Sequence, residues 1–283
     1  MQIVVLGATG QLGRELVRVL PAADTVALGH ADLDVTDHAA VATRLRLLRP
    51  AVVINATAEN RVDAAEDDPI PALALNADAV RNLGETCRAL DCFLVHVSTD
   101  YVFDGTSRRP YREDDSPHPL GAYGRSKRSG EKWALNTTTR CAVVRVAGLY
   151  AAGGARGKGG NFVDKVLAKA RAGEPLRIVA DQITAPTYAQ DVAASLTRLL
   201  PAWVGARDAG GIFHLTNAGE CSWYEFARAA LELADVKAAV HPITTAELGA
   251  RAPRPAYSVL ANTRVTPPLR HWREALAAYL AEA

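Results

Sequence analysis

The chain has 283 residues, 49% hydrophobic and 22% charged, with 21 Gly and 15 Pro, an ordinary globular composition that excludes wholesale disorder and collagen-like repeats. Lys and Arg total 32 against 31 Asp and Glu, and a net charge of +1 speaks against nucleic-acid binding as the main task. No apolar run reaches the roughly 18 residues of a membrane span. Met1-Gln2-Ile3-Val4-Val5-Leu6 enters a strand pattern with no basic leader, so no signal peptide is expected. Cys87, Cys92, Cys141 and Cys221 form no C-x-x-C pair and have no His cluster beside them. Reduced, mostly buried thiols in a cytoplasmic protein are expected, not a metal site or a disulfide frame.

In chain order, Ile3–Leu6, Thr25–Leu28, Val52–Ile54, Phe93–Val97 and Ala142–Val146 read as strands, nearly all apolar, as strands covered on both faces must be. Between them Leu12–Leu20, Ala39–Leu48, Ile70–Leu90 and Ser126–Leu135 read as helices. This alternation predicts an α/β fold, a doubly wound parallel sheet of the Rossmann type, with its ligand at the carboxyl ends of the strands. After Tyr150 comes a Gly-rich loop, 151–160, carrying Arg156 and Lys158. A helix over Asn161–Ala172, a strand at Leu176–Val179, a helix over Asp191–Leu200 and a strand at Gly211–Leu215 follow. Ser222 is placed to N-cap a helix Trp223–Leu233, with Glu225 completing a capping box, and Trp272–Leu280 reads as the last helix. The expected organisation is a dinucleotide-binding core, 1–150 with about 189–215, and a smaller C-terminal lobe, 151–188 with 216–283, for substrate.

Gly7-Ala8-Thr9-Gly10-Gln11-Leu12-Gly13 joins the first strand to the first helix with the spacing G-x-x-G-x-x-G. Gly7 serves the tight turn, Gly10 the approach of a pyrophosphate and Gly13 the packing of helix on sheet. Free N–H groups and the helix dipole favour phosphate there. Coenzyme choice turns on the end of the second strand, where an acid would hold a ribose 2′-hydroxyl. Gly29-His30 stands there instead, which leans slightly to NADPH over NADH; His30 either approaches a 2′-phosphate or is a solvated loop residue. Asp32–Val35, including Asp34, either lies near the adenine or is a helix-entry turn.

Tyr123-Gly124-Arg125-Ser126-Lys127 is Y-x-x-x-K at the entrance to a helix, which puts phenol and ammonium on one face. An ammonium beside a tyrosine favours the phenolate and is expected to lower its pKa, poising it as an acid–base group for a carbonyl or an alcohol. Ser98-Thr99-Asp100-Tyr101 closes the fourth strand at the edge where ligands belong, and a hydroxyl at Thr99 can hold a substrate oxygen against Tyr123. Alone, each motif is common; their order along one βαβ run is the specific signal.

With these residues in place, the sequence resembles an extended short-chain dehydrogenase/reductase, and most closely the dTDP-4-dehydrorhamnose reductase family, over nearly its whole length. The resemblance is carried by Gly7–Gly13, Leu33-Asp34-Val35-Thr36-Asp37, Asn55-Ala56-Thr57-Ala58 and Val62-Asp63-Ala64-Ala65-Glu66. Ser98-Thr99-Asp100-Tyr101-Val102-Phe103-Asp104-Gly105, Tyr123 with Lys127, Gly160-Asn161-Phe162-Val163, Asp181-Gln182 with Ala185-Pro186-Thr187, and Arg254-Pro255 with Ser258 and Leu260 extend it. It implies reduction of the C4 ketone of a nucleotide-linked 6-deoxyhexose by NAD(P)H. Thr99, Tyr123 and Lys127 would be catalytic. Gly7, Thr9, Gly10, Gln11, Leu12, Gly13, His30, Asp34, Ala56, Thr57 and Ala58 would bind coenzyme, with Tyr123 and Lys127. Glu59, Asp100, Tyr101, Asn161, Gln182 and Arg254 would bind the nucleotide-sugar, and Arg156, Lys158 and Arg254 its diphosphate. For Asn161 a helix N-cap is the equal alternative. A monomer or homodimer without a metal is expected.

Two positions depart from the family pattern. Glu59-Asn60 replaces an aromatic or His followed by Thr, and Arg145-Val146-Ala147-Gly148 lacks the Trp of an R-T-S-W motif. Glu59 either pairs with the ammonium of an amino-sugar or with Arg61 or Arg81. The alternatives on the same scaffold are a ketoreductase of a modified or amino deoxysugar, a nucleotide-sugar epimerase or dehydratase, and a non-catalytic dinucleotide-binding regulatory subunit. Intact Tyr123 and Lys127 argue against the last.

Overall fold

A computed structural model describes residues 1–153, 160–206 and 209–282. Six parallel strands form the central sheet: β1 (Ile3–Leu6), β2 (Thr25–Leu28), β3 (Val52–Asn55), β4 (Phe93–Thr99), β5 (Cys141–Val146) and β6 (Gly211–His214), in the order β6-β5-β4-β3-β1-β2. Register is continuous across it: Val5 lies beside Ile54, Ile54 beside Val95, and Val95 beside Ala142. The strands are apolar on both faces because both faces are covered. On one face Val5, Ile54, Val95 and Val144 pack with Leu12 and Leu16 of α1 (Gln11–Val19) and with Val192, Leu196 and Leu200 of the long helix Ala189–Gly205. On the other face Val4, Val53, Leu94 and Val143 meet Val41 and Leu45 of α2 (His38–Leu48) and Val80 and Leu83 of α3 (Ala79–Ala89). Burial of both sets at roughly 25 cal/mol per Å² is what holds the layers together.

A second core gathers Tyr150, Val163, Leu167, Tyr188, Phe226, Trp272, Leu276 and Tyr279, with the Tyr150 and Tyr188 rings stacked at 5.6 Å. The segment after Pro255 runs back through the molecule. Ser258 N–H donates to the Ile183 carbonyl at 2.8 Å, Leu260 bridges to Tyr111, and Arg270 pairs with Asp191 at 2.8 Å.

Several elements differ from the sequence reading. The helix through Tyr123 spans Ala122–Thr137 (α4), four residues earlier than expected, because Gly121 leads in and the Glu66 carboxylate takes the Ala122 N–H. The helix expected over Ile70–Leu90 is Ile70–Leu73, a π turn at Ala74–Asp78, then α3. A short helix at Val62–Asp67, a strand at Val240–Ile243 and a helical turn at Thr245–Leu248 carry no strong periodicity and were not expected. The helix expected to stop before Pro201 runs on to Gly205. Its last turn is held by Trp203, which packs between Phe93 (6.1 Å) and Phe213 (4.7 Å), and that packing outweighs the propensity cost of proline. The Trp223–Leu233 helix and its Ser222/Glu225 capping box stand as read.

Candidate active site

The turn after β1 is built for close approach. Gly7 has φ +77°, and a Cβ there would sit 3.0 Å from the Ala56 backbone. A Cβ at Gly13 would collide with the Gly7 carbonyl oxygen, so only glycine lets α1 pack this tightly on the loop. Gly10 caps α1 without a side-chain hydrogen bond, which leaves the first-turn N–H groups to a ligand. Gln11 Oε1 is buried without a hydrogen-bond partner in the same place. A dinucleotide pyrophosphate fits this cradle of N–H groups and helix dipole.

One cavity of about 900 Å³ extends from this loop along the carboxyl edge of the sheet. Gly7, Thr9, Gly10, Gln11, Leu12, His30, Asp34, Ala56, Thr57 and Ala58 line it, and Gly13 supports the loop from behind. His30 is exposed at one end, near Asp34. The Asp34 carboxylate takes hydrogen bonds from the backbone and hydroxyl of Thr36, which lower its pKa, and it builds the turn into α2. Thr57 is fixed by Asn55, whose amide also meets the buried His96 ring at 3.3 Å.

Thr99, Asp100, Tyr101, Tyr123 and Lys127 line the middle of the cavity. Thr99 ends β4, and its hydroxyl donates to Asp100 Oδ1 at 3.0 Å, accepts from Tyr101 N–H at 3.2 Å and hydrogen-bonds the Tyr123 hydroxyl. Tyr101 and Tyr123 meet edge to face at 5.8 Å. Lys127, one turn along α4, is buried and donates Nζ–H to the Val97 carbonyl at 2.6 Å. Burial pulls the lysine down to about 8, and the negative charge of Glu131 opposes that. Asp100 is buried and pushed up to about 6, although Ser258 and Thr99 hydrogen-bond it.

The lowered phenol pKa expected from Y-x-x-x-K is not what the structure holds. Burial raises Tyr123, and nearby Asp100 and Glu59 add to the rise, while Lys127 turns its ammonium to the sheet carbonyl. The phenol therefore keeps its proton through the neutral range, which is the form a proton donor needs.

Beneath these groups lies a buried charge cluster that sequence reading missed. Glu131, on α4, accepts from Ser98 (2.7 Å), from Arg145 through two nitrogens (2.7 and 2.8 Å) and from Arg128 (2.9 Å). Arg145 sits inside a strand read as apolar, and only its partner on another element explains it. Asn76, in the π turn, accepts the Glu59 N–H and donates to the Glu59 carbonyl and to Ser126. No local signal announces a π turn.

The expected sugar-side residues divide. Glu59, Asn161 and Gln182 line the cavity. The Glu59 carboxylate binds Arg61 at 2.9 and 2.6 Å, the pairing set against the amino-sugar idea. Asn161 caps the helix Phe162–Arg171 and donates to the Ala151 carbonyl (2.7 Å) and the Tyr279 hydroxyl (2.8 Å), so its amide is committed to structure. Gln182 donates to Thr245 at 3.0 Å. Arg254 does not line the cavity. Asp63 holds its guanidinium through two oxygens at 3.1 and 2.8 Å, and the guanidinium also hydrogen-bonds Tyr101, which does line the cavity. Arg156 and Lys158 lie outside the described residues.

The whole chain, residues 1–283, matches the model of the RmlD substrate binding domain. A spore coat polysaccharide biosynthesis protein, SpsK, of Bacillus subtilis is 38% identical over 99% of this chain and 97% of its own. A dTDP-4-dehydrorhamnose reductase of Streptomyces griseus is 41% identical over 96% of this chain and 91% of its own. A solved dTDP-4-dehydrorhamnose reductase of Bacillus anthracis, in complex with NADP, superposes with a TM-score of 0.91 at 32% identity, covering 100% of both chains. By sequence over its full length and by fold, this chain belongs to the RmlD substrate binding domain family.

Proposed function

We propose that the chain reduces the C4 ketone of a nucleotide-linked 6-deoxyhexose, as a dTDP-4-dehydrorhamnose reductase does, using NADPH or NADH. The observation that carries this reading is a single cavity with a pyrophosphate cradle at one end and Thr99, Tyr123 and Lys127 in its middle. The relatives named for this activity support it, and the neighbour solved with NADP supports a phosphorylated coenzyme. Residues 1–150 with about 189–215 serve as the coenzyme core, and 151–188 with 216–283 as the substrate lobe. The protein works in the cytoplasm, where its four free cysteines stay reduced, as a monomer or homodimer.

The bound coenzyme supplies a hydride to C4. The chain's own residues do the rest. Thr99 holds the ketone oxygen, and Tyr123 gives that oxygen its proton as negative charge develops on it. Lys127, charged over most of the neutral range and held on the Val97 carbonyl, steadies the phenolate left behind only on leaving that carbonyl for the phenol oxygen. The raised pKa of Tyr123 keeps the proton available until the oxygen becomes basic enough to take it.

The test is oxidation of NAD(P)H at 340 nm with a dTDP-4-keto-6-deoxyhexose, for the parent and Tyr123→Phe. The parent turns over and the variant loses about 10²-fold or more in kcat, the usual weight of a positioned acid. A parent that binds NADPH yet shows no turnover refutes the reading.

A further inference from the structure

Gly148 and Trp223 touch across the two lobes at a wall of the cavity that the reductive set does not use. Gly148 follows β5 with φ +50°, a conformation that L side chains rarely adopt. A Cβ there would lie 3.2 Å from the Pro186 Cα and 3.3 Å from Cη2 of Trp223. The proline backbone cannot yield, so any side chain at 148 must push the indole. The indole is otherwise seated firmly. Ser222 pairs with Ile183 in a two-stranded ladder and caps the Trp223 helix through a reciprocal box with Glu225, at 2.8 and 3.1 Å. Behind the ring stands Phe162, at 4.8 Å and tilted by 49°. Trp223 is half-buried, and it, Phe162 and Gly148 all line the cavity that holds Thr99 and Tyr123.

A 6-deoxyhexose has one edge of C–H groups and a methyl, with no hydroxyl at C6. Its polar C4 oxygen is accounted for by Thr99 and Tyr123. The C5–C6 edge that marks a 6-deoxy sugar is apolar, and a flat ring is the side chain that reads it at little entropic cost. Gly148 is the empty position that lets the ring stand there. We infer that Trp223, backed by Phe162 and seated by the absence of a side chain at Gly148, is the sugar-specificity wall of the cavity. This rests on the reductase reading for the identity of the sugar, not for the placement of the ring.

Two measurements test it. The first is steady-state turnover of a dTDP-4-keto-6-deoxyhexose by the parent, Trp223→Phe, Trp223→Leu and Gly148→Ala. The second is binding of dTDP-rhamnose, a 6-deoxyhexose nucleotide, against dTDP, by calorimetry on the same proteins. Trp223→Leu is expected to raise KM for the keto-sugar about tenfold, with KM for NADPH unchanged, and Trp223→Phe to restore most of the loss. Gly148→Ala should fall in the same direction as Trp223→Leu by displacing the indole. In the binding experiment, dTDP-rhamnose should lose affinity in Trp223→Leu while dTDP does not. Of the four tryptophans only Trp223 lines the cavity, so ligand quenching of indole emission should vanish in Trp223→Phe. An unchanged dTDP-rhamnose affinity in Trp223→Leu would overturn the inference. The binding arm decides it even if the parent shows no turnover, so failure of the reductase reading is told apart from failure of this one.

Discussion

Lys127 and Asp100 are both buried ionisable groups, and burial displaces each toward its neutral form. The proposed mechanism needs the lysine charged. With its pKa drawn down to about 8, kcat/KM should fall above about pH 8 as the ammonium loses its proton. In Lys127→Arg the guanidinium stays charged, so a pH–rate profile should show that alkaline limb move upward while the plateau drops. Asp100 works against stability. Its folded pKa of about 6 lies above the unfolded value of 3.8. Its contribution is therefore full below about pH 4, is lost as the pH rises to about 6, and stays lost at neutrality. Asp100→Asn should gain about 3 kcal/mol at pH 7.5 and lose that advantage near pH 4, measured by thermal melts at the two pH values. At this scale Thr99, Tyr123 and Lys127 were legible in the sequence because a spacing of four on a helix and the end of a strand fix their neighbourhood. The partners of Asn161 and Arg254 were not legible, because Tyr279 and Asp63 are more than a hundred residues away along the chain.

Elements carry a different kind of information. The apolar runs of β1 to β5 and the helical spacings between them follow from periods of two and 3.6, so the doubly wound sheet could be read directly. The π turn at Ala74–Asp78 and the continuation of a helix past Pro201 could not, since both are decided by what packs against them. The Glu131–Arg145 pair ties α4 to β4 and β5, with both side chains fully buried. Glu131→Ala leaves a guanidinium charge uncompensated in the core and should cost about 3–5 kcal/mol in urea unfolding. Glu131→Gln keeps the shape and part of the hydrogen bonding, and should cost less. The helix bearing Tyr123 and Lys127 and the strand bearing Thr99 share this clamp, so both variants should also lose activity beyond what their stability alone explains.

For the molecule as a whole, the cavity joins parts that are distant in sequence. A ligand that fills it stabilises the folded form by mass action, by about 2.7 kcal/mol at a hundredfold excess over Kd. NADPH should therefore raise the melting temperature of the parent. Gly13→Val should abolish that rise, because its side chain would strike the Gly7 carbonyl and break the cradle. A differential scanning measurement with and without NADPH checks both.

The returning segment after Pro255 sets a timetable for synthesis. Thr99, Tyr123 and Lys127 leave the ribosome long before Ser258, which supplies a hydrogen bond to Asp100 and lines the cavity. From Lys127 to Ser258 the ribosome must add 258 − 127 = 131 residues. Until then the unfinished chain contains Thr99, Tyr123 and Lys127 but lacks one wall of their cavity. The finished cavity therefore arrives late, with the segment that runs back through the molecule after Pro255.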